Sequence, residues 1–198
     1  MSIRILGFAG SARRESLNRK LVHVALRGAE SAESVEVEIE HLDLRDLAIP
    51  LYDGDSETVE GMPDGVRRLR EALKLSDGVI IASPEYNGSM TAVLKNAIDW
   101  TSRPDPQFPE DPRMVAWRGK AAGILSTSPG GLGGVRGLDH LRAVLNHMGM
   151  AVVTPQAAIP AGHEAFHDNG SILDASQHAE VESVGRAVAE RAFSLEPD

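Results

Sequence analysis

Five short apolar segments alternate with helical patterns along the chain, and this alternation constrains the fold more than any other feature. The most apolar segment, residues 77–83, is rich in β-branched residues and is typical of a strand buried on both faces. Residues 35–42 alternate strictly between polar and apolar types, as in a half-exposed strand at a sheet edge. The remaining strands are predicted at residues 3–8, 120–126 and 151–154, the last extended by 157–159.

The segments between and after these strands have helical spacing, which predicts helices at residues 17–30, 63–75, 91–101, 135–148 and 176–194. Residues 43–63 are rich in Asp, Gly and Pro and should be mostly loop. Strands that alternate with helices predict an α/β fold, in which one parallel sheet has helices on both faces. Ligands of such sheets bind where the loops leave the carboxyl ends of the strands.

Composition narrows the class of protein. The 198 residues fit a single domain spanning 1–198, and a hydrophobic content of 42% suits a globular fold. The lack of cysteine excludes disulfides and thiolate metal sites. A formal net charge of −9 argues against nucleic acid as the main partner. No apolar run approaches the roughly 20 residues of a membrane helix, and residues 1–4 do not resemble a signal peptide. We therefore expect a cytoplasmic protein that binds neither nucleic acid nor membrane.

The loop after the first predicted strand has the composition of an anion site. Residues 10–20 combine Ser11, Arg13, Ser16 and Asn18 with a helix start, where unpaired N–H groups carry positive partial charge. The segment is not a P-loop, because no Gly-Lys-Ser/Thr closes it, and it lacks the G-x-G-x-x-G spacing of a dinucleotide site. On these residues alone, a phosphate site and an ordinary capped turn are equally good interpretations.

Two further loops follow the third and fourth predicted strands. In residues 83–89, Pro84 fixes φ, Gly88 permits positive φ and Tyr86 adds an aromatic face. This loop is either a rigid surface for a flat heteroaromatic ring or an ordinary tight turn. Residues 126–134 contain four glycines, which either approach a ligand closely or form a mobile lid. Taken together, the three loops fit a mononucleotide lying across the switch point of a flavodoxin-type sheet.

Four motifs resemble those of the NADPH-dependent FMN reductase family, which includes bacterial quinone, azo-dye and chromate reductases of flavodoxin-like fold. They are Gly10-Ser11-x-Arg13-x-x-Ser16-x-Asn18, Ser83-Pro84-Glu85-Tyr86-Asn87-Gly88-Ser89, Leu94-Lys95-Asn96-Ala97-Ile98-Asp99-Trp100 and Ser128-Pro129-Gly130-x-x-Gly133-Gly134. The similarity covers nearly the whole chain, and the second motif is the most specific. It implies a doubly wound, five-stranded parallel sheet of order 2-1-3-4-5. A proline-rich segment, residues 103–118, is longer than the family's usual connection and leaves the entrance to the flavin undefined.

The resemblance also implies roles for individual residues. The FMN phosphate would be held by Ser11, Arg13, Ser16, Leu17 and Asn18. The isoalloxazine ring would be lined by Pro84, Glu85, Tyr86, Asn87 and Gly88, whose backbone N–H groups would bind its N5/O4 edge, and closed on its other side by Ser128, Pro129 and Gly130. The implied enzyme passes hydride from NADPH or NADH to FMN and then reduces a quinone, azo compound, metal oxyanion or free flavin. The flavin supplies this chemistry, so no catalytic acid or base is required. The family commonly forms homodimers or homotetramers.

Two alternatives remain open. Residues 163–167 match the zinc-protease signature H-E-x-x-H, in which His163 and His167 would bind a metal. That signature needs a helix, whereas the neighbouring proline and glycines allow at best one helical turn, so surface histidines are the favoured interpretation. The other alternative is a flavodoxin-like electron carrier without NAD(P)H oxidation. Such carriers usually have hydroxyl-rich phosphate loops, whereas this loop uses Arg13.

Overall fold

A parallel sheet forms the centre of the protein in the computed structural model, which describes residues 2–195. Its strands are β1 (Ser2–Ala9), β2 (Glu36–Asp43), β3 (Gly78–Ala82), β4 (Ala121–Thr127), β5 (Ala151–Val152) and β6 (Ala157–Ile159). The strand order is β2-β1-β3-β4-β5, with β6 also paired to β4. All pairings are parallel, so the predicted order 2-1-3-4-5 is confirmed.

The fifth position of the sheet is divided between two strands. β5 pairs with Ala121 and Ala122 at the start of β4, and β6 pairs with residues 125–127 at its end. The predicted extension of this strand by residues 157–159 is therefore confirmed. The interruption, residues 153–156, makes the regular part of the edge shorter than the sequence indicated.

The helices are α1 (Leu17–Glu30), α2 (Gly54–Glu60), α3 (Asp64–Leu75), α4 (Ala92–Thr101), α5 (Val135–His147) and α6 (Ala175–Leu195). All five predicted helices are present. The additional helix, α2, lies in the segment that was expected to be mostly loop. Its N-cap is Asp53, whose carboxylate accepts from the N–H groups of Asp55 and Ser56. None of its residues is buried, so it lacks the apolar periodicity by which helices are recognised in a sequence.

The helices cover the sheet in two layers. α1 and α6 pack on one face, and α3, α4 and α5 pack on the other. Glycines let α1 and α6 approach closely: a Cβ on Gly185 would lie 1.8 Å from the carbonyl oxygen of Ala25. Strands β1, β3 and β4 are therefore buried between two apolar layers, which explains why their sequences are almost continuously hydrophobic.

The proline-rich segment, residues 103–118, packs against α3. Asp105 accepts from Arg67 at 2.7 Å, and Asp111 accepts from Arg70 at 2.8 Å. Trp117 is fully buried. The segment connects the end of α4 to the beginning of β4, at the amino ends of the parallel strands. It therefore begins and ends on the side of the sheet opposite to the carboxyl-end loops.

Candidate functional site

Three loops meet at the carboxyl ends of the parallel strands. We call them the first loop (residues 10–16, after β1), the second loop (residues 83–91, after β3) and the third loop (residues 128–134, after β4). The chain places β2 on one side of β1 and then β3 on the other, so the order of strands reverses at the β1/β3 pair. A crevice at such a switch point is the usual ligand site of an open α/β sheet.

A single pocket brings most of the predicted site residues together. It is lined by Ser11, Arg13, Ser16, Leu17, Asn18, Pro84, Glu85, Tyr86, Thr127, Ser128 and Pro129. Thr127 is an addition that the sequence motifs did not indicate. Three predicted residues, Asn87, Gly88 and Gly130, do not line this pocket, and Asn87 lines a neighbouring groove instead.

The first loop presents donors at the start of α1. Ser16 is the N-cap, and its hydroxyl accepts from the N–H of Arg19 at 3.4 Å. The N–H groups of Leu17 and Asn18, in the first turn, have no intrahelical acceptor. The guanidinium of Arg13 is exposed and makes no ion pair within residues 2–195. These groups leave positive charge unneutralised at one end of the pocket.

The side chain of Asn18 ties the first loop to the end of β4. Its amide donates to the carbonyl of Thr127 at 2.9 Å and accepts from the N–H of Thr127 at 3.0 Å. Asn18 is only 4% exposed. Both ends of its side chain are thus engaged within the protein, and its backbone N–H is the group left for a ligand.

The second loop contains a tight hairpin turn over residues 86–89. Tyr86 and Ser89 exchange two backbone hydrogen bonds, of 2.9 and 3.1 Å. The two central residues, Asn87 and Gly88, have φ values of 52° and 78°, which is the type I′ geometry that Asn-Gly favours. The N–H of Tyr86 is therefore used inside the turn. Those of Asn87 and Gly88 have no acceptor in the described chain, and the Tyr86 ring is 52% exposed beside them.

Glu85 connects the second loop to the start of α5. Its carboxylate accepts from the guanidinium Nε of Arg136 at 2.9 Å and from the N–H of Gly137 at 3.1 Å. Burial alone would raise the pKa of this carboxyl, but the hydrogen bonds from Arg136 and Gly137 outweigh it and hold the pKa below its ordinary value. Glu85 is thus an anion that points away from solvent into the protein.

Thr91 completes the links between the loops. Its hydroxyl donates to the carbonyl of Gly10 at 2.6 Å and accepts from the N–H of Leu94 at 3.2 Å, so it caps α4 and holds the first loop at once. The sequence pattern placed Thr91 inside this helix, whereas the structure makes it the N-cap. Nothing local indicated Arg136, whose partner lies 51 positions away.

The third loop approaches its neighbours closely at two glycines. Gly133 and Gly134 both have positive φ, of 60° and 96°. A Cβ on Gly134 would lie 2.0 Å from the hydroxyl of Ser126, and one on Gly133 would lie 2.5 Å from the backbone of Ala158. The end of the loop is therefore packed against the sheet, whereas a Cβ at Gly131 would meet nothing.

The H-E-x-x-H segment lacks the geometry of a zinc site. Residues 161–170, all described, form turns and a single bridge instead of a helix. His163 lies 3.2 Å from its neighbour Glu164. Among residues 2–195, no group of three or more His, Cys, Asp or Glu side chains could hold a metal ion. The two histidines therefore do not share the helical face that the signature requires.

Comparison with known proteins identifies the family. Residues 3–164 match the model of the NADPH-dependent FMN reductase family. The chain is 38% identical to an NAD(P)H-dependent FMN reductase of Pseudomonas aeruginosa, over 87% of this chain and 85% of that protein. It is 33% identical to a 2-hydroxy-1,4-benzoquinone reductase of a Burkholderia species, over 87% of both chains.

Solved structures agree with this result. The flavoenzyme NAD(P)H:(acceptor) oxidoreductase FerB from Paracoccus denitrificans superimposes with a TM-score of 0.79 at 30% identity, covering 97% of this chain and 98% of that chain. The chain therefore belongs to the NADPH-dependent FMN reductase family. It is an oxidoreductase of flavodoxin-like fold that uses FMN and NAD(P)H, as the sequence motifs predicted.

The pocket suits FMN at both ends. The exposed Arg13 and the unpaired N–H groups of α1 match a phosphate monoester. At the other end the exposed Tyr86 ring offers a stacking surface for a flat ring, and the free N–H groups of Asn87 and Gly88 follow it in the turn, just outside the pocket lining.

Proposed function

We propose that this pocket binds FMN with its phosphate at the first loop and its isoalloxazine ring between the second and third loops. The supporting observation is that one pocket joins Arg13 and the start of α1 to Tyr86 and Pro129, across the β1/β3 switch point. In this arrangement residues 1–198 act as a single FMN-binding domain.

The first loop provides the anchor. Arg13, the hydroxyls of Ser11 and Ser16, and the N–H groups of Leu17 and Asn18 bind the phosphate. Because these groups bind the phosphate and not the ring, they determine affinity and leave the ring chemistry to other residues.

The second and third loops hold the ring. Pro84, Glu85 and Tyr86 form one wall with the N–H groups of Asn87 and Gly88, while Ser128, Pro129 and Gly130 form the other. Bound FMN supplies the hydride chemistry by accepting a hydride from NAD(P)H and passing two electrons to an acceptor. The chain's task is to orient the ring, keep one face open and exclude water from the other.

Spectroscopic titration tests this function. Purified protein is saturated with FMN and then titrated anaerobically with NADPH or NADH while the visible spectrum is recorded. We expect the flavin absorbance to bleach with one equivalent of donor and to return when a quinone is added. Protein that binds no FMN would reject the proposal. FMN that binds but stays oxidised would favour the electron-carrier alternative, because a carrier needs a separate reductase.

A small quinone is the acceptor that we propose. The quinone reductases among the relatives, one of them a 2-hydroxy-1,4-benzoquinone reductase, support this choice. Steady-state assays with benzoquinone, an azo dye, chromate and free FMN compare the candidates. The proposal requires the highest kcat/KM for benzoquinone.

We further propose a cytoplasmic homodimer or homotetramer. No helix within residues 2–195 is long and apolar enough to cross a membrane. A groove of about 640 Å³ between α4 and α5 includes Met90, Ala92, Ala143 and Val144, and such an apolar surface suits a second copy of the chain. Light scattering coupled to size exclusion measures the assembly, and a monomeric mass at micromolar concentration would contradict this proposal.

A further inference from the structure

The carboxylate of Glu85 is almost inaccessible to solvent although it belongs to a surface loop. Its side chain is 7% exposed, whereas that of its partner Arg136 is 64% exposed. Both carboxylate oxygens accept hydrogen bonds, one from Arg136 and the other from the N–H of Gly137. Both oxygens of Glu85 are therefore already engaged within the protein, even though its residue forms part of the pocket wall.

The hydrogen bond to Gly137 makes Glu85 a cap for α5. The N-cap position of this helix is Gly134, which has no side chain to bond the first turn. The carboxylate of Glu85 supplies the missing acceptor from another loop, and its negative charge lies at the positive end of the helix dipole. The second loop is consequently held to the start of α5 by a hydrogen bond and by the attraction between this charge and the helix dipole.

Two other contacts hold the same pair of elements together. The hydroxyl of Ser89 lies 2.9 Å from Nδ1 of His140, one turn further along α5. A Cβ on Gly137 would lie 3.2 Å from the carbonyl oxygen of Ser89, a tight contact that would push the helix and the loop apart by a few tenths of an ångström. Contacts at residues 85 and 89 thus enclose the turn whose central N–H groups, at Asn87 and Gly88, lack acceptors.

We propose that Glu85 is a positioning residue for the flavin ring: its carboxylate fixes the second loop against α5, so that the free N–H groups of the turn are held in place before the ring binds. This inference rests on the proposed function, and it assigns Glu85 an indirect role instead of a contact with the ring through its carboxylate. Donors that are already ordered lose little entropy when a ligand binds, which is why a fixed turn favours affinity.

Comparison of two flavins separates positioning of the ring from binding of the phosphate. Riboflavin has the same ring as FMN but no phosphate. In Glu85→Gln, which keeps the size of the side chain and removes its charge, we expect the dissociation constants of FMN and riboflavin to rise by the same factor, about tenfold. At saturating flavin, the visible circular dichroism of the bound ring should also weaken, because the ring is held less rigidly. A role in stability alone would leave that signal unchanged in folded, saturated protein.

Two control variants complete the experiment. Glu15→Gln removes the same charge from an exposed residue of the first loop and should leave the affinity for riboflavin unchanged. Arg136→Gln removes only one of the two partners of Glu85, so it should shift both flavins in the same direction by a smaller factor. Because Arg136 is mostly exposed, this variant also tests the inference if Glu85→Gln does not fold.

Each outcome has one meaning. Wild-type protein that binds neither flavin would reject the proposed function itself. Wild-type protein that binds both, with Glu85→Gln and Arg136→Gln indistinguishable from Glu15→Gln, would overturn the positioning role alone. A loss of affinity for FMN without a loss for riboflavin would also overturn it, since that result would place Glu85 at the phosphate end.

Discussion

The side-chain amide of Asn18 forms two hydrogen bonds with the backbone N–H and C=O of Thr127, which lies 109 positions further along the chain. The side chain of Asn18 substitutes for a neighbouring strand at the point where β4 leaves the sheet, and it satisfies both polar groups of Thr127 at once. Since Asn18 is in the first turn of α1, this contact sets the position of the helix start relative to the third loop. The two ends of the pocket are therefore joined through one buried amide.

Replacement of Asn18 should destabilise the protein. In Asn18→Ala the N–H and C=O of Thr127 lose their partners inside the protein, and we expect a loss of about 2–4 kcal/mol in the free energy of unfolding. Urea unfolding of the flavin-free protein measures this change. The control is Asn146→Ala, on an exposed position of α5, which should differ from wild type by less than about 0.5 kcal/mol. Equal stabilities for the two variants would show that the amide contact contributes nothing.

Arg13 should determine affinity for FMN through the phosphate. Loss of a charge-assisted hydrogen bond in Arg13→Ala should raise the dissociation constant of FMN by about 10- to 100-fold and leave that of riboflavin unchanged. Arg14→Ala removes the adjacent guanidinium, which does not line the pocket, and should have little effect on either flavin. Quenching of flavin fluorescence gives all the constants. At saturating FMN, the rate of reduction by NADPH should be the same in Arg13→Ala and wild type, and a slower rate would assign Arg13 a role in the reaction.

Asp111 should stabilise the proline-rich segment. Its carboxylate bonds Lys74 at 2.9 Å and Arg70, and hydrogen bonds from these two cations hold its pKa below the ordinary value of 3.8. Arg70 is 2% exposed, so Asp111→Asn leaves a buried cation without its nearest carboxylate and should cost about 2–3 kcal/mol near neutral pH. The matched variant is Asp139→Asn, at an exposed position of α5, which should be close to neutral.

The same variant has an expected pH dependence. A carboxyl whose pKa is lowered by folding stabilises the protein at pH values above its ordinary pKa. That contribution disappears as the pH falls through the lower pKa of the folded state. The difference in unfolding free energy between wild type and Asp111→Asn should therefore shrink below about pH 3.8. A difference that stays constant down to acid unfolding would assign the effect to packing instead of charge.

Two stacked histidines should make stability depend on pH near neutrality. The rings of His23 and His41 lie 4.4 Å apart between α1 and β2. Partial desolvation, with the charges of Arg27 and Arg19, lowers the pKa of His23. Burial and the neighbouring His23 likewise lower the pKa of His41, although Asp43 opposes the shift. The unfolded chain then binds more protons, so stability should fall as the pH drops below the ordinary value of 6.5.

His23→Gln tests the contribution of this pair. We expect its unfolding free energy to change less than that of wild type between about pH 8 and about pH 5.5, while the two proteins have similar stability at the higher pH. Guanidinium unfolding at both pH values provides the comparison. Identical slopes for the two proteins would mean that the histidine pair does not couple protonation to folding.

Local sequence signals predicted most of this fold. The strands and the five long helices follow from apolar periodicity, whereas the strand order came from the family resemblance. The positive φ at Asn87 and Gly88 follows from the Asn-Gly pair itself. The signal failed at α2, because a helix held by the Asp53 cap without a buried face has no periodicity to detect. Elements with a buried, periodic face and turns with a characteristic residue pair were therefore predictable, whereas a short exposed helix was not.

Contacts within the site were less predictable than the loops that make it. The motifs named Asn18 and Glu85 as ligand contacts, but the structure shows their side chains bonded to Thr127 and Arg136, which lie 109 and 51 positions further along the chain. Only folding brings such pairs together, and a single sequence has no local pattern that reports them. Whether a polar residue of a motif contacts a ligand or supports the loop that does so is therefore decided by tertiary structure.

The two free edges of the sheet are protected against aggregation in different ways. At one edge, β2 carries Glu36, Glu38 and Glu40, and repulsion between such carboxylates opposes the addition of a second copy of the same strand. At the other edge, the division into β5 and β6 leaves ladders of only two and three residues, too short to template an incoming strand. A mutation that joined β5 to β6 into one continuous strand would therefore remove a safeguard against edge-to-edge polymerisation.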